Sequence, residues 1–106
     1  MVCGHTGCGG VGAAFSDSTD DGGPIDGWLV PLRLLRAQLT PKWDQAGLSI
    51  DDRKNELVIE NVKAGVRALR ALALVLKGMK ERGLQVHGVV YDLKTGLMAE
   101  IPPNQI

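Results

Sequence analysis

Val2-Cys3-Gly4-His5-Thr6-Gly7-Cys8-Gly9-Gly10 stands near the start of the chain, and the rest is read outward from it. His5 and Cys8 are separated by two residues. In a tight turn that spacing lets an imidazole nitrogen and a thiolate face one point at the ~2.0–2.3 Å that zinc requires. Gly4, Gly7, Gly9, Gly10 and Gly12 surround the pair. Glycine reaches positive φ without a Cβ clash, so a run of them lets backbone fold closely around an ion. By itself H-x-x-C is a weak motif, because zinc takes about four donors. Met1 to Gly4 reads as the last residues of a strand, His5 to Gly12 as the turn, and Val11 to Phe15 as the start of a short helix. Cys3 is expected to point into the core as a small apolar residue.

The composition narrows the classes of function. The chain has 106 residues, 44% of them hydrophobic and 23% charged. That is the ordinary globular range and enough for one core. Twelve basic and twelve acidic side chains cancel. A neutral chain has no broad electrostatic attraction for nucleic acid or an anionic membrane. Phe15, Trp28, Trp43 and Tyr91 are the only aromatic residues, too few for a base-stacking surface. Ala71 to Leu76, the longest strongly apolar stretch, is far below the ~20 residues of a membrane span. The N-terminus has no basic region followed by an apolar run, as a signal peptide would. The expectation is an intracellular, cytoplasmic protein, with a mitochondrion or other organelle also compatible.

Ser16 to Pro24 reads as a polar loop. Ile25 to Leu39 has helical spacing at Trp28, Leu32, Leu35 and Leu39, and Pro31 within it predicts a kink or a break. Thr40-Pro41 would then restart a short turn through Trp43. Ser49, followed by Asp52 three residues on, opens the best helix, whose inner face is Leu57, Val58, Asn61, Val62, Val66 and Leu69. Gly65 inside it costs about 1 kcal/mol against alanine, which points to close packing there. A further helix, about Leu74 to Arg82, ends at Gly83. Leu84 to Tyr91 is strand-like, Asp92 to Gly96 a turn, and Leu97 to Ile101 a second strand stopped by Pro102-Pro103.

Three stretches taken together resemble one family. V-C-G-H-T-G-C-G-G-V, then N-V-K-A-G-V, then L-Q-V-H-G-V-V-Y-D-L-K-T-G-L follow the order of the second half of β-class carbonic anhydrases. The resemblance covers essentially all 106 residues, most loosely over Ser16 to Leu48. It implies an α/β fold: a parallel sheet remnant with an antiparallel C-terminal edge strand, flanked by helices. It also implies that His5 and Cys8 are ligands of a catalytic Zn2+, that the activity is carbonate dehydratase (reversible hydration of carbon dioxide to bicarbonate), and that the chain forms a homodimer or higher oligomer. The family's other ligand lies in an upstream C-x-D-x-R motif, which these 106 residues do not contain. The expectation is therefore one truncated domain over 1–106 with weak or no activity alone. The alternative is a catalytically inactive paralogue or fragment acting as an oligomeric or structural zinc-binding protein, two copies pairing half-sites into a Cys2His2 centre.

Gly7 to Gly12 matches G-x-G-x-x-G, with Asp26 downstream, but only a strand stub precedes it and no second βαβ unit follows, so dinucleotide binding is disfavoured. His87 in its apolar strand reads as a hydrogen-bonded core histidine, and Asp92 and Thr95 as turn chemistry.

Overall fold

The structure is a computed structural model that describes residues 1–17 and 23–106, so the centre of the polar loop expected over 16–24 lies outside the described residues. The chain forms two compact units, one of Met1–Thr6 with Ile59–Ile106 and one of Gly7–Val58.

The first unit holds a three-stranded sheet of β1 (Val2–His5), β2 (Gly88–Tyr91) and β3 (Met98–Glu100), in the order β1-β2-β3. β1 runs parallel to β2 from Val2↔Gly88 to His5↔Tyr91, and β3 runs antiparallel to β2 with Val89 opposite Glu100. This is the sheet expected from the sequence, and the fold is α/β. The strand read over Leu84 to Tyr91 is shorter than expected. Its ladder starts only at Gly88, where β1 supplies a partner, and residues 84–87 lie outside it. Cys3 also departs from expectation. Its neighbours Val2 and Gly4 are half-buried while Cys3 is exposed, because successive side chains on a strand point to opposite faces. Val2 takes the helix side: a Cβ on Gly65 would lie 3.0 Å from Val2 Cγ1, the close approach the sequence suggested at that glycine.

That approach is made by α3 (Ile50–Arg70), whose C-terminal half carries the buried Val62 and Val66 of this unit. α4 (Ala73–Arg82) follows and stops at Gly83, which takes the left-handed φ of 67°. Arg70 Nη2 donates to the Val86 carbonyl at 3.3 Å, tying α3 to the segment entering β2. The hairpin turn closes by Gly96 N–H to Asp92 O at 2.8 Å, with Gly96 at φ 71°. Asp92 and Thr95 serve the turn as read: Asp92 Oδ1 accepts Lys94 N–H at 2.9 Å, and Thr95 Oγ1 accepts Leu97 N–H at 3.2 Å. Pro103–Gln105 then form a single 3-10 turn.

The second unit is helical: α1 (Gly9–Ala13), α2 (Pro24–Ala46) and the first half of α3. Its buried residues are Val11, Ala14, Leu29, Leu32, Trp43, Leu57 and Val58, with Phe15 stacked on Trp43 at 5.9 Å between ring centroids. α2 does not break at Pro31, and Pro41 lies within it as well. Each proline removes an amide donor and costs about 3 kcal/mol in a helix interior. Burial of Leu29 and Leu32 around Pro31, and of Trp43 beyond Pro41, stabilises by about 1.5–3 kcal/mol per side chain. Those anchors hold the two prolines within one helix. Of the helically spaced residues, Trp28 is 69% exposed, whereas Leu32 is buried.

Arginines of α2 satisfy the carbonyls that end α1. Arg36 Nη1 donates to Ala14 O at 2.9 Å, and Arg33 Nε to Ser16 O at 3.0 Å. Arg36 also pairs with Asp17 and holds its carboxyl below the usual carboxylate range. Ser49 Oγ accepts Asp52 N–H at 3.2 Å, so the start of α3 is capped as its sequence implied. Among the described residues no helix is long and apolar enough to cross a membrane.

Candidate metal centre

His5 closes β1, where parallel pairing with Tyr91 and the Thr6 N–H to Tyr91 O bond at 3.0 Å fix its backbone. Its side chain is exposed, and Nδ1 lies 2.9 Å from the Thr6 carbonyl oxygen. A carbonyl oxygen only accepts, so in the neutral ring Nδ1 carries the proton and Nε2 keeps its lone pair. That tautomer presents Nε2 to a metal, and a backbone carbonyl on the other ring nitrogen is a common support for a metal-binding histidine.

Cys8 stands at the N-cap of α1 with extended backbone, φ −65° and ψ 122°, and its carbonyl accepts Gly12 N–H at 3.0 Å. The thiol is free and half-buried. It borders a cavity of about 320 Å3 within its own unit, shared with Val11, Asp51, Lys54, Asn55 and Val58. The glycines around it divide by task. Gly7 needs its freedom, at φ 66°. Gly10 needs its missing side chain, because a Cβ there would sit 3.2 Å from the Trp28 ring and 3.7 Å from Cys8 Sγ. Gly9 and Gly12 need neither, so the expectation that the whole run serves positive φ holds at Gly7 alone.

These donors fit zinc in kind but not in number. An imidazole with a free Nε2 and an unpaired thiol are both good zinc donors, yet a catalytic site takes about three protein ligands. Among the described residues no group of three or more His, Cys, Asp or Glu side chains gathers to hold a metal. Cys3 is exposed, with its Sγ directed to the Gly4 carbonyl at 3.4 Å. His87 is engaged at both ring nitrogens, Nδ1 with Glu100 Oε1 at 2.6 Å and Nε2 with Gln85 Oε1 at 2.9 Å. It is hydrogen-bonded as expected, but partly exposed rather than in the core. Sequence reasoning did not find the contact of Thr6 with Asp92 and Leu93, 86 and 87 positions away, and one sequence carries no signal for it.

The family model described as carbonic anhydrase matches residues 1–98. The chain belongs to this family. Its structural neighbours place it in the β class. It is 33% identical over 107 residues to a carbonic anhydrase of Candida albicans, covering 99% of this chain and 38% of that protein. A carbonic anhydrase of Emericella nidulans is 36% identical over 102 residues, covering 95% and 43%. The β-carbonic anhydrase CafA of Aspergillus fumigatus superposes with a TM-score of 0.86 at 42% identity, covering 97% of this chain and 49% of that one. A β-carbonic anhydrase of Sordaria macrospora, described as tetrameric, superposes with a TM-score of 0.85 at 36% identity, covering 94% and 50%. The chain thus spans about two-fifths of the curated relatives and half of the solved chains.

Proposed function

We propose that residues 1–106 carry the His5–Cys8 half of the zinc site of a β-class carbonic anhydrase domain. The complete protein would hydrate carbon dioxide reversibly to bicarbonate. The observation that carries this reading is the His5 Nδ1–H bond to Thr6 O, which leaves Nε2 as the donor nitrogen. Cys8 supplies a thiolate from the turn that follows. When bound, zinc would lower the pKa of a coordinated water towards ~7, supplying hydroxide at neutral pH. His5 and Cys8 hold the ion and set its charge, and the remaining donors come from outside the described residues. Self-association belongs to the same proposal. It is supported by the tetrameric state named for the Sordaria relative and by exposed apolar side chains such as Ile25, Trp28 and Leu34. Two unpaired thiols fit a reducing, intracellular compartment.

A second reading rests on the donor count: with only two donors, the chain alone is a zinc-binding element without hydration activity. Zinc affinity by chelator competition and stopped-flow hydration test both. Either His5→Ala or Cys8→Ser is expected to lower zinc affinity at least tenfold, and hydration by the 106 residues alone is expected at the buffer rate. Native mass spectrometry counts zinc per chain, and one ion per pair of chains identifies paired half-sites. Zinc affinity indifferent to both substitutions would overturn the site assignment. Hydration well above buffer and abolished by Cys8→Ser would overturn the two-donor limit.

A further inference from the structure

Among the described residues the His5 ring has one hydrogen-bonding partner, and that partner belongs to a residue gripped from elsewhere in its unit. Thr6 is held at three points. Its N–H donates to Tyr91 O at 3.0 Å. Its hydroxyl oxygen accepts Leu93 N–H at 3.0 Å. With that lone pair engaged, the hydroxyl hydrogen is free to turn to Asp92 Oδ1, a longer contact at 3.4 Å. The carboxylate does not drift, because the same oxygen accepts Lys94 N–H at 2.9 Å. The Thr6 carbonyl, so placed, receives His5 Nδ1–H at 2.9 Å.

We propose that the β2–β3 turn, acting through Thr6, fixes the tautomer and ring orientation of His5, which makes Thr6 and Asp92 positioning residues for the metal-binding nitrogen. This rests on the reading of His5 as a zinc ligand. The physical case is one of missing alternatives. The imidazole is exposed, so burial does not hold it. Gly7, next after Thr6, has no Cβ and imposes little on the peptide plane that carries the Thr6 carbonyl. The direction of that carbonyl is therefore set from the Thr6 side, by the Tyr91 and Leu93 bonds. Without the hydroxyl tether the peptide plane is free to rock, the ring loses its acceptor, and both tautomers become populated. A ligand whose second nitrogen loses its support binds metal about 10–100-fold more weakly.

The test uses the whole chain with Thr6→Val, which keeps the β-branched shape without the hydroxyl, and Thr6→Ser, which keeps the hydroxyl. The first readout is the ring nitrogen spectrum of metal-free protein at a fixed pH of about 8, above the ordinary imidazole range. Wild type and Thr6→Ser are expected to show a proton on Nδ1, and Thr6→Val a mixture dominated by Nε2–H. The second is zinc affinity, expected to fall about tenfold or more in Thr6→Val and to recover in Thr6→Ser. Unchanged His5 ring signals in Thr6→Val would overturn the positioning role, whatever the zinc data. Zinc affinity unaffected by His5→Ala would instead overturn the ligand reading on which it rests. Hydrogen exchange in the wild type is a check that needs no variant: the Leu93 amide, in an exposed turn, is expected to be protected, and free exchange there would also sink the proposal.

Discussion

Replacing Trp43 by alanine is expected to destabilise the protein by about 3–5 kcal/mol, the range for removing a large buried aromatic ring. Trp43 is 1% exposed and sits late in α2, stacked on Phe15. It is the largest fully buried side chain among the described residues, and it anchors the part of α2 beyond Pro41. Beside it lies an open surface pocket of about 310 Å3 bordered by Phe15, Arg36, Thr40, Leu48, Ile50 and Arg53. A void opened at Trp43 adds to a space already there, so the neighbours have little with which to close it. At about 4–8 °C per kcal/mol for a domain of this size, the melting temperature should fall by about 12 °C or more. Phenylalanine at the same position gives a sharper comparison. Among the described residues the buried Trp43 indole N–H has no hydrogen-bond partner, so the ring carries an uncompensated desolvation cost. Trp43→Phe removes that donor and keeps most of the ring, and should cost under about 1.5 kcal/mol. Denaturant midpoints followed by circular dichroism read both variants. Equal losses for alanine and phenylalanine would mean that the indole edge, not ring volume, is what the site uses.

Local signals explain what could be read from the sequence. Period and caps made α3 legible: Ser49 caps it, and Val58, Val62 and Val66 recur at one face and are buried. Gly83 and Gly96 were legible because a left-handed residue at a helix end or turn calls for glycine. The continuity of α2 was not legible. Whether a proline breaks a helix depends on how strongly the flanking turns are anchored, and that anchoring is tertiary. Cys3 failed on a question of phase, since a four-residue strand shows too little alternation to tell which face is buried. At the candidate site the donor types at His5 and Cys8 were visible in the spacing. The support of His5 was not, because it is made by a backbone carbonyl and by a turn at the far end of the chain.

Gly88→Val should cost about 2–3 kcal/mol, although valine is the better strand former. Gly88 opens β2 opposite Val2, beneath α3. A Cβ there would lie 3.0 Å from Val62 Cγ1, 3.1 Å from Val66 Cγ2 and 3.6 Å from Ile106 Cδ1. The first two contacts are tighter than ordinary packing, and valine adds two methyl groups beyond them. Val62 and Val66 are 2% and 0% exposed, are stiff at χ1, and sit on a helix that cannot rotate one residue alone. The gain in strand propensity is at most about 1 kcal/mol and loses to overpacking. Gly65 makes the instructive contrast. Its missing Cβ also faces a valine methyl at 3.0 Å, but that methyl belongs to Val2, which is half-buried rather than buried and so has room to give. Gly65→Ala gains about 1 kcal/mol of helix propensity and should come out close to neutral. Two glycines at the same distance from a valine methyl thus have opposite tolerance, decided by whether the neighbour can move. Urea midpoints at unchanged slope measure the difference, and a Gly88→Val chain as stable as wild type would mean that α3 and β2 are not spaced as closely as described.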